Sequence, residues 1–562
     1  MRREKGSIFV NKAYVTAQTK RLIGREFFEE LIPVERNEEA LARAYGVSLT
    51  GLRSLAVIKL NDEQIFSISS SLLPISVSGV RGGLVCVAIV GEELVPEFLY
   101  NIHRLKVPTV IIAGRENFPE NLPWFFEVSE AAEEPILIVT SSESECSTFL
   151  NNLGDKGEIL SMVGERKPVF NKHWHRNWRW NYLQALVNSS RNMLEKKGEN
   201  EKVLDYYFSL MHWNIFGKKL EACESFSIYL YKMGEMESLV GEKSLPISLY
   251  SLNPIPLSFL RKIFGEKGKR ISLVDFDPPV LSDFIGKIFP KNTEVRILRK
   301  LRRKFLFPRD FYEIFLPRRD KKGKNWKMNG TFTLVSLGLL KIVIDSIQEE
   351  HVPIVVSHTS PTSLPSSNPS YYEPNFMVAS TTFKVYWINE LFDVIVPPPI
   401  TLDVCEGLID TGYNEGPVVL LADSAFIRDW GRLKRLKKKG CKVFVISEND
   451  KVPKQREAKY LDLDCHEYSK HFSLLKEGLV TNDGCILVLR PSETFRKYLR
   501  KRVAFIHEQE CDSCYECVYL RCKAIYVGED NRPRIVQEAC TGCGACYIVC
   551  SRGAIEIKLD GH

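Results

Sequence analysis

The stretch CDSCYECVYLRCKAIYVGEDNRPRIVQEACTGCGACYIVC spans residues 511–550 and holds eight of the fifteen cysteines of the chain. Cys511, Cys514 and Cys517 follow one another at two-residue gaps, and Cys522 stands beyond a gap of four. Cys540, Cys543 and Cys546 repeat the spacing, with Cys550 after three more residues. Gaps of two residues let one tight loop present three thiolates to a single metal centre, while a fourth ligand must arrive from elsewhere in the fold. A zinc ribbon also uses C-x2-C pairs, but two triplets exceed what one tetrahedral ion needs. The apolar pairs Ala524-Ile525 and Ala554-Ile555 recur after each fourth cysteine and mark an internal repeat. Cys86, Cys146, Cys223, Cys405, Cys441, Cys465 and Cys485 are scattered singly and read as buried thiols.

This array resembles that of the two-cluster ferredoxins. The resemblance implies a small α+β domain over residues 501–562, built around two [4Fe-4S] clusters with crossed ligation. One cluster would take Cys511, Cys514, Cys517 and Cys550, and the other Cys540, Cys543, Cys546 and Cys522. Gly542 and Gly544 allow backbone amides to approach the sulfurs. Asp512, Tyr515 and Glu516 stand where such loops usually carry small residues, and Ser551 where proline is common. These changes are expected to tune potential or exposure.

Outward from the array, 562 residues are enough for several domains, and 44% hydrophobic with 26% charged residues is ordinary globular usage. No uncharged apolar run of about 18 residues is available to cross a bilayer, and the opening MRREKGSIFVNKAYV lacks a signal-peptide core. The expectation is a cytoplasmic protein without a membrane partner. The net charge is +7, with basic runs at 296–309, 431–442 and 496–502. They read as solvated helix faces or as docking sites for an acidic electron-transfer partner. A nucleic-acid partner is not expected, because no continuous basic footprint with interleaved aromatics exists.

The body alternates β-branched runs with amphipathic stretches, which predicts α/β domains with parallel sheets. Predicted strands include 54–60, 82–90, 108–114, 135–142, 269–276, 352–358, 417–424, 441–447 and 484–490. Residues 168–245 read as irregular or helical. The proline stretches at 361–369 and 397–399 read as loops near a site. No G-x-G-x-x-G follows a strand, so Gly79, Gly82 and Gly83 do not form a dinucleotide cradle.

Four segments then align, in order, with one family. They are Asn37 to Gly51, the run Ser78-Gly-Val-Arg-Gly-Gly-Leu-Val85, the stretch from Leu252 through Ser272 to Pro279, and Gly330-Thr331-Phe332 with Ser357-His358-Thr359-Ser360. With the ferredoxin-like tail they make the chain resemble the alpha subunit of indolepyruvate ferredoxin oxidoreductase, a thiamine-diphosphate 2-oxoacid oxidoreductase. The resemblance implies a pyrimidine-binding-like domain over 1–165 and an intermediate, transketolase-C-terminal-like region over 166–320. A pyrophosphate-binding-like domain over 321–500 and the ferredoxin domain follow. It implies thiamine diphosphate and Mg2+ as cofactors, oxidative decarboxylation of an arylpyruvate-type 2-oxoacid to its acyl-coenzyme A, and electrons leaving through the clusters to ferredoxin. A small gamma-domain subunit would complete a hetero-oligomer.

In that frame Asp423 and Asn449 would hold magnesium with Ser424 beside the diphosphate, Glu38 would approach the aminopyrimidine, and His358 would meet a phosphate or substrate carboxylate. The chain also departs from the pattern. Ala422 replaces the glycine before the aspartate, and counting back from Gly46 without a gap puts Asn37, not Glu38, where the family has its glutamate. Asparagine cannot relay a proton. An alternative reading is therefore a catalytically decayed paralogue that serves as an iron-sulfur electron-transfer subunit or scaffold.

Overall fold

The computed structural model describes residues 10–23, 28–105, 107–112, 122–151, 199–220, 225–230, 245–264, 270–277, 281, 294–300, 331–347, 350–351, 353–358, 394–396, 398–447, 454–464, 467–499, 501–519 and 524–559. The chain forms two units, 1–311 and 312–562.

In the first unit six parallel strands are followed along the chain by helices: β1 (Val10–Thr16), β2 (Phe28–Val34), α1 (Asn37–Ser48), β3 (Ser54–Leu60), α2 (Gln64–Ser78), β4 (Leu84–Val90), α3 (Val95–Leu105), β5 (Thr109–Ile111), α4 (Leu122–Ala132), β6 (Ile136–Thr140) and α5 (Glu143–Asn151). The runs Leu84–Val90 and Ile136–Thr140 are buried at every position. Such unbroken apolar runs are what a parallel sheet covered by helices demands. The sheet order is β2-β1-β3-β4-β6-β5, and β9 (Ser251–Leu252) adds antiparallel to β5. A second, four-stranded parallel sheet is ordered β11 (Glu294–Lys300), β10 (Arg270–Asp277), β7 (Ser225–Tyr229), β8 (Leu245–Ser248). The helices α6 (Glu199–Leu220) and α7 (Leu257–Phe264) belong to the same unit. The strand at Ser225–Tyr229 corrects the irregular-or-helical reading of 168–245: its aromatic and β-branched residues pair in register with β8 and β10.

The second unit repeats the first arrangement. Its strands are β12 (Ile354–His358), β13 (Val394–Val396), β14 (Val418–Asp423), β15 (Lys442–Ile446), β16 (Lys459–Leu463) and β17 (Cys485–Pro491), all parallel, in the order β13-β12-β14-β15-β17-β16. Counted from its own first strand, each six-stranded parallel set runs 2-1-3-4-6-5. The helices are α8 (Thr331–Asp345), α9 (Pro398–Asp410), α10 (Trp430–Lys438), α11 (Tyr468–Val480) and α12 (Glu493–Tyr498). Pro398 and Pro399 open α9 instead of lying in a loop as predicted, because proline in the first helical turn gives up an N–H that has no helical partner anyway. Residues 361–369 lie outside the described residues.

Much of the basic run at 431–442 is paired within its own unit. Arg432 bridges Asp403 (2.5 Å) and Glu406 (3.1 Å), Lys434 meets Glu457 (2.7 Å) and Lys439 meets Asp410 (2.9 Å). Lys442 is buried, and its ammonium donates to the Thr481 and Asp483 carbonyls.

After α12 the chain enters a module of two small antiparallel ladders. β18 (Arg502–Ile506) pairs with β21 (Ile555–Leu559), and β19 (Ile525–Val527) with β20 (Pro533–Ile535). Short helices α13 (Glu516–Tyr519) and α14 (Ala545–Val549) lie between them along the chain. First pairs with last and the inner two with each other, as two intertwined βαβ halves require. The module rests on α8 and α11: α14 packs against α8, and Tyr547 meets Tyr468 edge-on at 5.6 Å. Beneath this contact Arg502 and Asp464 form a buried ion pair at 3.3 Å, with the guanidinium 4.9 Å from the Tyr498 ring.

Removing one member of a buried pair leaves the other desolvated, at a cost of about 3–5 kcal/mol. Arg502→Met is therefore expected to lower the unfolding midpoint markedly, and Arg502→Met with Asp464→Leu to recover much of the loss, as read by denaturant titration. His471 of α11 supplies a pH test. Its Nε2 accepts the Asp464 backbone N–H at 3.3 Å, and burial pushes its pKa below the ordinary histidine value despite Glu467, Asp464 and Asp462 nearby and with Lys470 acting in the same direction as burial. The unfolded chain then binds a proton that the fold rejects, so the stability contribution is whole above the unfolded pKa of about 6.5 and falls as pH drops below it. His471→Gln is expected to flatten the pH dependence of the unfolding midpoint between about pH 7 and 5.

Candidate functional site

Each cysteine triplet wraps a hollow. Cys511, Cys514 and Cys517 line the first, of about 320 Å³, and the structure brings Cys550 to them from the other half of the module. The second, about 390 Å³, is lined by Cys540, Cys543 and Cys546, with Ala504, Ala524, Ile525, Ile535 and Ala545 as an apolar wall. Cys522 lies outside the described residues. The two loops share a backbone device. The second and fourth residues after the leading cysteine are left-handed in both: Ser513 (φ 59°) and Tyr515 (φ 64°) in the first, Gly542 (φ 65°) and Gly544 (φ 83°) in the second. Glycine takes this conformation without strain, and a tyrosine does not.

The first loop is held in this shape by three ties. The Tyr515 hydroxyl donates to the Asn531 carbonyl at 2.6 Å, Arg552 Nε to Asp512 Oδ2 at 2.6 Å, and the Ser551 N–H to Glu516 Oε2 at 3.3 Å. Two of them cross between the halves. In the second loop no room is left for a tie, since a Cβ on Gly542 would sit 2.2 Å from the Arg502 carbonyl oxygen. The N–H groups of Ala504 and Gly542 both donate to Cys540 Sγ at 3.4 Å.

Chemically, these are metal sites. Burial, then the neighbouring Cys550, Cys511 and Cys514 sulfurs, push the Cys517 thiol up to about 12. Four converging thiolates are unstable without a cation at their centre, and coordination deprotonates them outright. Converging cysteines at these spacings, amide N–H groups aimed at sulfur and left-handed loop residues fit a [4Fe-4S] group. Sequence reasoning missed the ties of Asp512 to Arg552 and of Tyr515 to Asn531, because both join residues whose proximity only the fold creates.

Three of the remaining predicted site residues sit at or just after strand ends. His358 closes β12, Asp423 closes β14, and Ser424 opens the turn Ser424–Asp429. β12 and β14 are neighbours, and the chain turns to opposite sides of β12 for β13 and β14. That makes the gap between them the topological switch point, where open α/β sheets bind ligands at the carboxyl ends of their strands. Asn449 lies outside the described residues. In the first unit the corresponding gap is β1/β3, and α1 begins there. Asn37 is buried, and its Nδ2 donates to the Lys59 carbonyl (2.8 Å) and Gln64 Oε1 (3.1 Å). Its Oδ1 is buried and accepts no hydrogen bond among the described residues. Glu38 is half-buried and accepts from the Ser67 hydroxyl at 2.5 Å.

Residues 533–556 match the family model of the 4Fe-4S binding domain. The C-terminal module is thus a ferredoxin-type iron-sulfur domain, attached to mixed α/β units with parallel sheets. No curated protein matches. Among solved structures, benzoylformate decarboxylase from Polynucleobacter necessarius superposes with TM-score 0.31 at 12% identity, covering 86% of this chain and 96% of that one. A protein isolated from Mycobacterium smegmatis and described as thiamin diphosphate-dependent gives 0.33 at 10% identity, with the same coverage. No described helix is long and apolar enough to cross a membrane.

Gly542→Val forces a β-branched side chain into a left-handed position against the Arg502 backbone. It is expected to reduce iron from about eight to about four per chain while the first hollow keeps its cluster. Iron and sulfide analysis with electron paramagnetic resonance of the reduced protein checks this.

Proposed function

We propose that the protein is the large subunit of a thiamine-diphosphate-dependent 2-oxoacid:ferredoxin oxidoreductase of the indolepyruvate type, acting on an arylpyruvate-type 2-oxoacid with coenzyme A beside a small gamma-domain subunit. The observation that carries the reading is the duplicated 2-1-3-4-6-5 sheet, with His358 and Asp423 at the switch point of one copy, in the same chain as an iron-sulfur module. A diphosphate bound through magnesium calls for a carboxylate at a strand end followed by a turn whose backbone approaches the phosphates, roles that Asp423 at the end of β14 and Ser424 at the start of the next turn would take. His358, one strand away, would donate to a phosphate or to the substrate carboxylate. Thiamine diphosphate when bound supplies the carbanion that decarboxylates a 2-oxoacid, and the clusters carry electrons singly. The chain's own work is to orient these groups and to keep water from the acyl group.

At the β1/β3 switch point the residues fit binding better than activation. The orphaned Asn37 Oδ1 can accept a hydrogen bond from an amine or amide N–H of a ligand but cannot take up its proton. Glu38 has the right chemistry, and its place one residue into α1 brings it to Ser67. This contrast favours a second reading, in which the cofactor site no longer turns over and the chain relays electrons from a partner enzyme.

Calorimetric titration of thiamine diphosphate with magnesium into the anaerobically purified protein, co-expressed with its neighbouring small subunit, separates the two. Under the first reading binding saturates, falls at least tenfold in Asp423→Ala, and 2-oxoacids bleach the cluster absorbance with coenzyme A present. Absence of binding in a protein holding about eight irons selects the relay.

A further inference from the structure

The two hollows differ in what surrounds them, and the difference gives the relay a direction. The second hollow lies toward the rest of its unit: α14, which carries Cys546, packs against α8, and its loop lies on the backbone of buried Arg502. The first faces out. Cys514 is exposed, and Asp512, Glu516 and Arg552 line the rim. Electron tunnelling to a partner falls off steeply with distance, so the exposed end is where a partner can come close.

Among the described residues, charge at that end is negative in balance, with Arg532 as the cation within it that forms no ion pair. Asp512 is neutralised by Arg552 and Asp530 by Arg534, but Glu508, Glu510 and Glu529 are exposed and form no ion pair among the described residues. The surface they share is continuous. Arg532 donates to the Glu508 carbonyl at 3.4 Å and the Tyr515 hydroxyl to the Asn531 carbonyl at 2.6 Å, which fastens the β19–β20 hairpin tip to the first cysteine loop. On that hairpin Tyr526 and Val527 stand 47% and 43% exposed. An apolar centre with a charged rim is the make-up of a transient redox interface, in which the charges set encounter rate and orientation.

We propose that the cluster held by Cys511, Cys514, Cys517 and Cys550 is the exit of the relay, and that the acidic rim of Glu508, Glu510 and Glu529 beside Tyr526 and Val527 docks a one-electron carrier protein whose redox centre is ringed by lysine and arginine. The step is a single outer-sphere transfer: the reduced exit cluster is oxidised by one electron, the carrier's centre is reduced by one, and no bond or proton changes hands. This rests on the iron-sulfur reading of the module and names the partner's chemistry for it.

The test uses the full chain, reduced anaerobically, in stopped flow against hexaamminecobalt(III) and the anionic cobalt(III)–EDTA complex. The cation is expected to oxidise the protein faster at low salt, with the advantage shrinking as ionic strength rises. The variant Glu508→Lys, Glu510→Lys, Glu529→Lys is expected to shift the ratio of the two rates by about tenfold or more toward the anion. A basic c-type cytochrome, titrated calorimetrically with both proteins oxidised, gives a readout independent of turnover and is expected to bind the variant about tenfold more weakly. Unchanged rate ratios and cytochrome affinity in a variant that retains about eight irons per chain overturn the docking surface and leave the iron-sulfur reading intact. Iron near four per chain in the unmutated protein, with a single reduced-cluster signal, overturns both.

Discussion

Four thiolates cannot share one hollow without a cation, and the C-terminal module has little else to hold it. Its two ladders pair three and five residues, too few to bury a core of their own. Metal binding is therefore coupled to the folding of this module, and the crossing of Cys550 into the first triplet's hollow ties the two halves together. The Arg552–Asp512 pair runs along the same crossing and reinforces it.

The same dependence governs how the module meets its unit. α14 carries Cys546 and Tyr547 on one short segment, so the helix that grips metal also grips α8 and α11. The buried Arg502–Asp464 pair lies where β16 ends and β18 begins, and its backbone supports the glycine loop of the second hollow. A rigid seat of this kind keeps the inner site at a constant distance from the α/β sheet, which electron transfer needs more than it needs stability.

In the α/β units the controlling constraint is the handedness of parallel connections. In the order 2-1-3-4-6-5 the direction of the crossovers reverses twice, and one gap per sheet lies where two neighbouring strands send their chains apart. Both sheets have it in the same place, and in the second unit it falls between the strands that end in His358 and Asp423. The residues placed at the two gaps differ, with Asn37 beside one and Asp423 closing a strand at the other.

Much of this was legible in the residues. The cysteine spacing named the metal and the repeat. The strands at 54–60, 82–90 and 441–447 were found because buried parallel strands are unbroken apolar runs. β1 and β2 were not found: VNKAYVT and FEELIPV mix charge into the run because they lie toward the sheet edge. The basic segment 431–442 read as a solvated helix face or a docking site, and only the fold placed Asp403, Glu406, Asp410 and Glu457 against it. By itself the sequence determined the ligand types, their grouping and the parallel α/β class, since these follow from local spacing and periodicity. Tertiary structure decided which cysteine joins which triplet among the described ones, that both sheets share one strand order, and which hollow faces solvent. Those depend on contacts between residues far apart in the chain, and no local pattern encodes them.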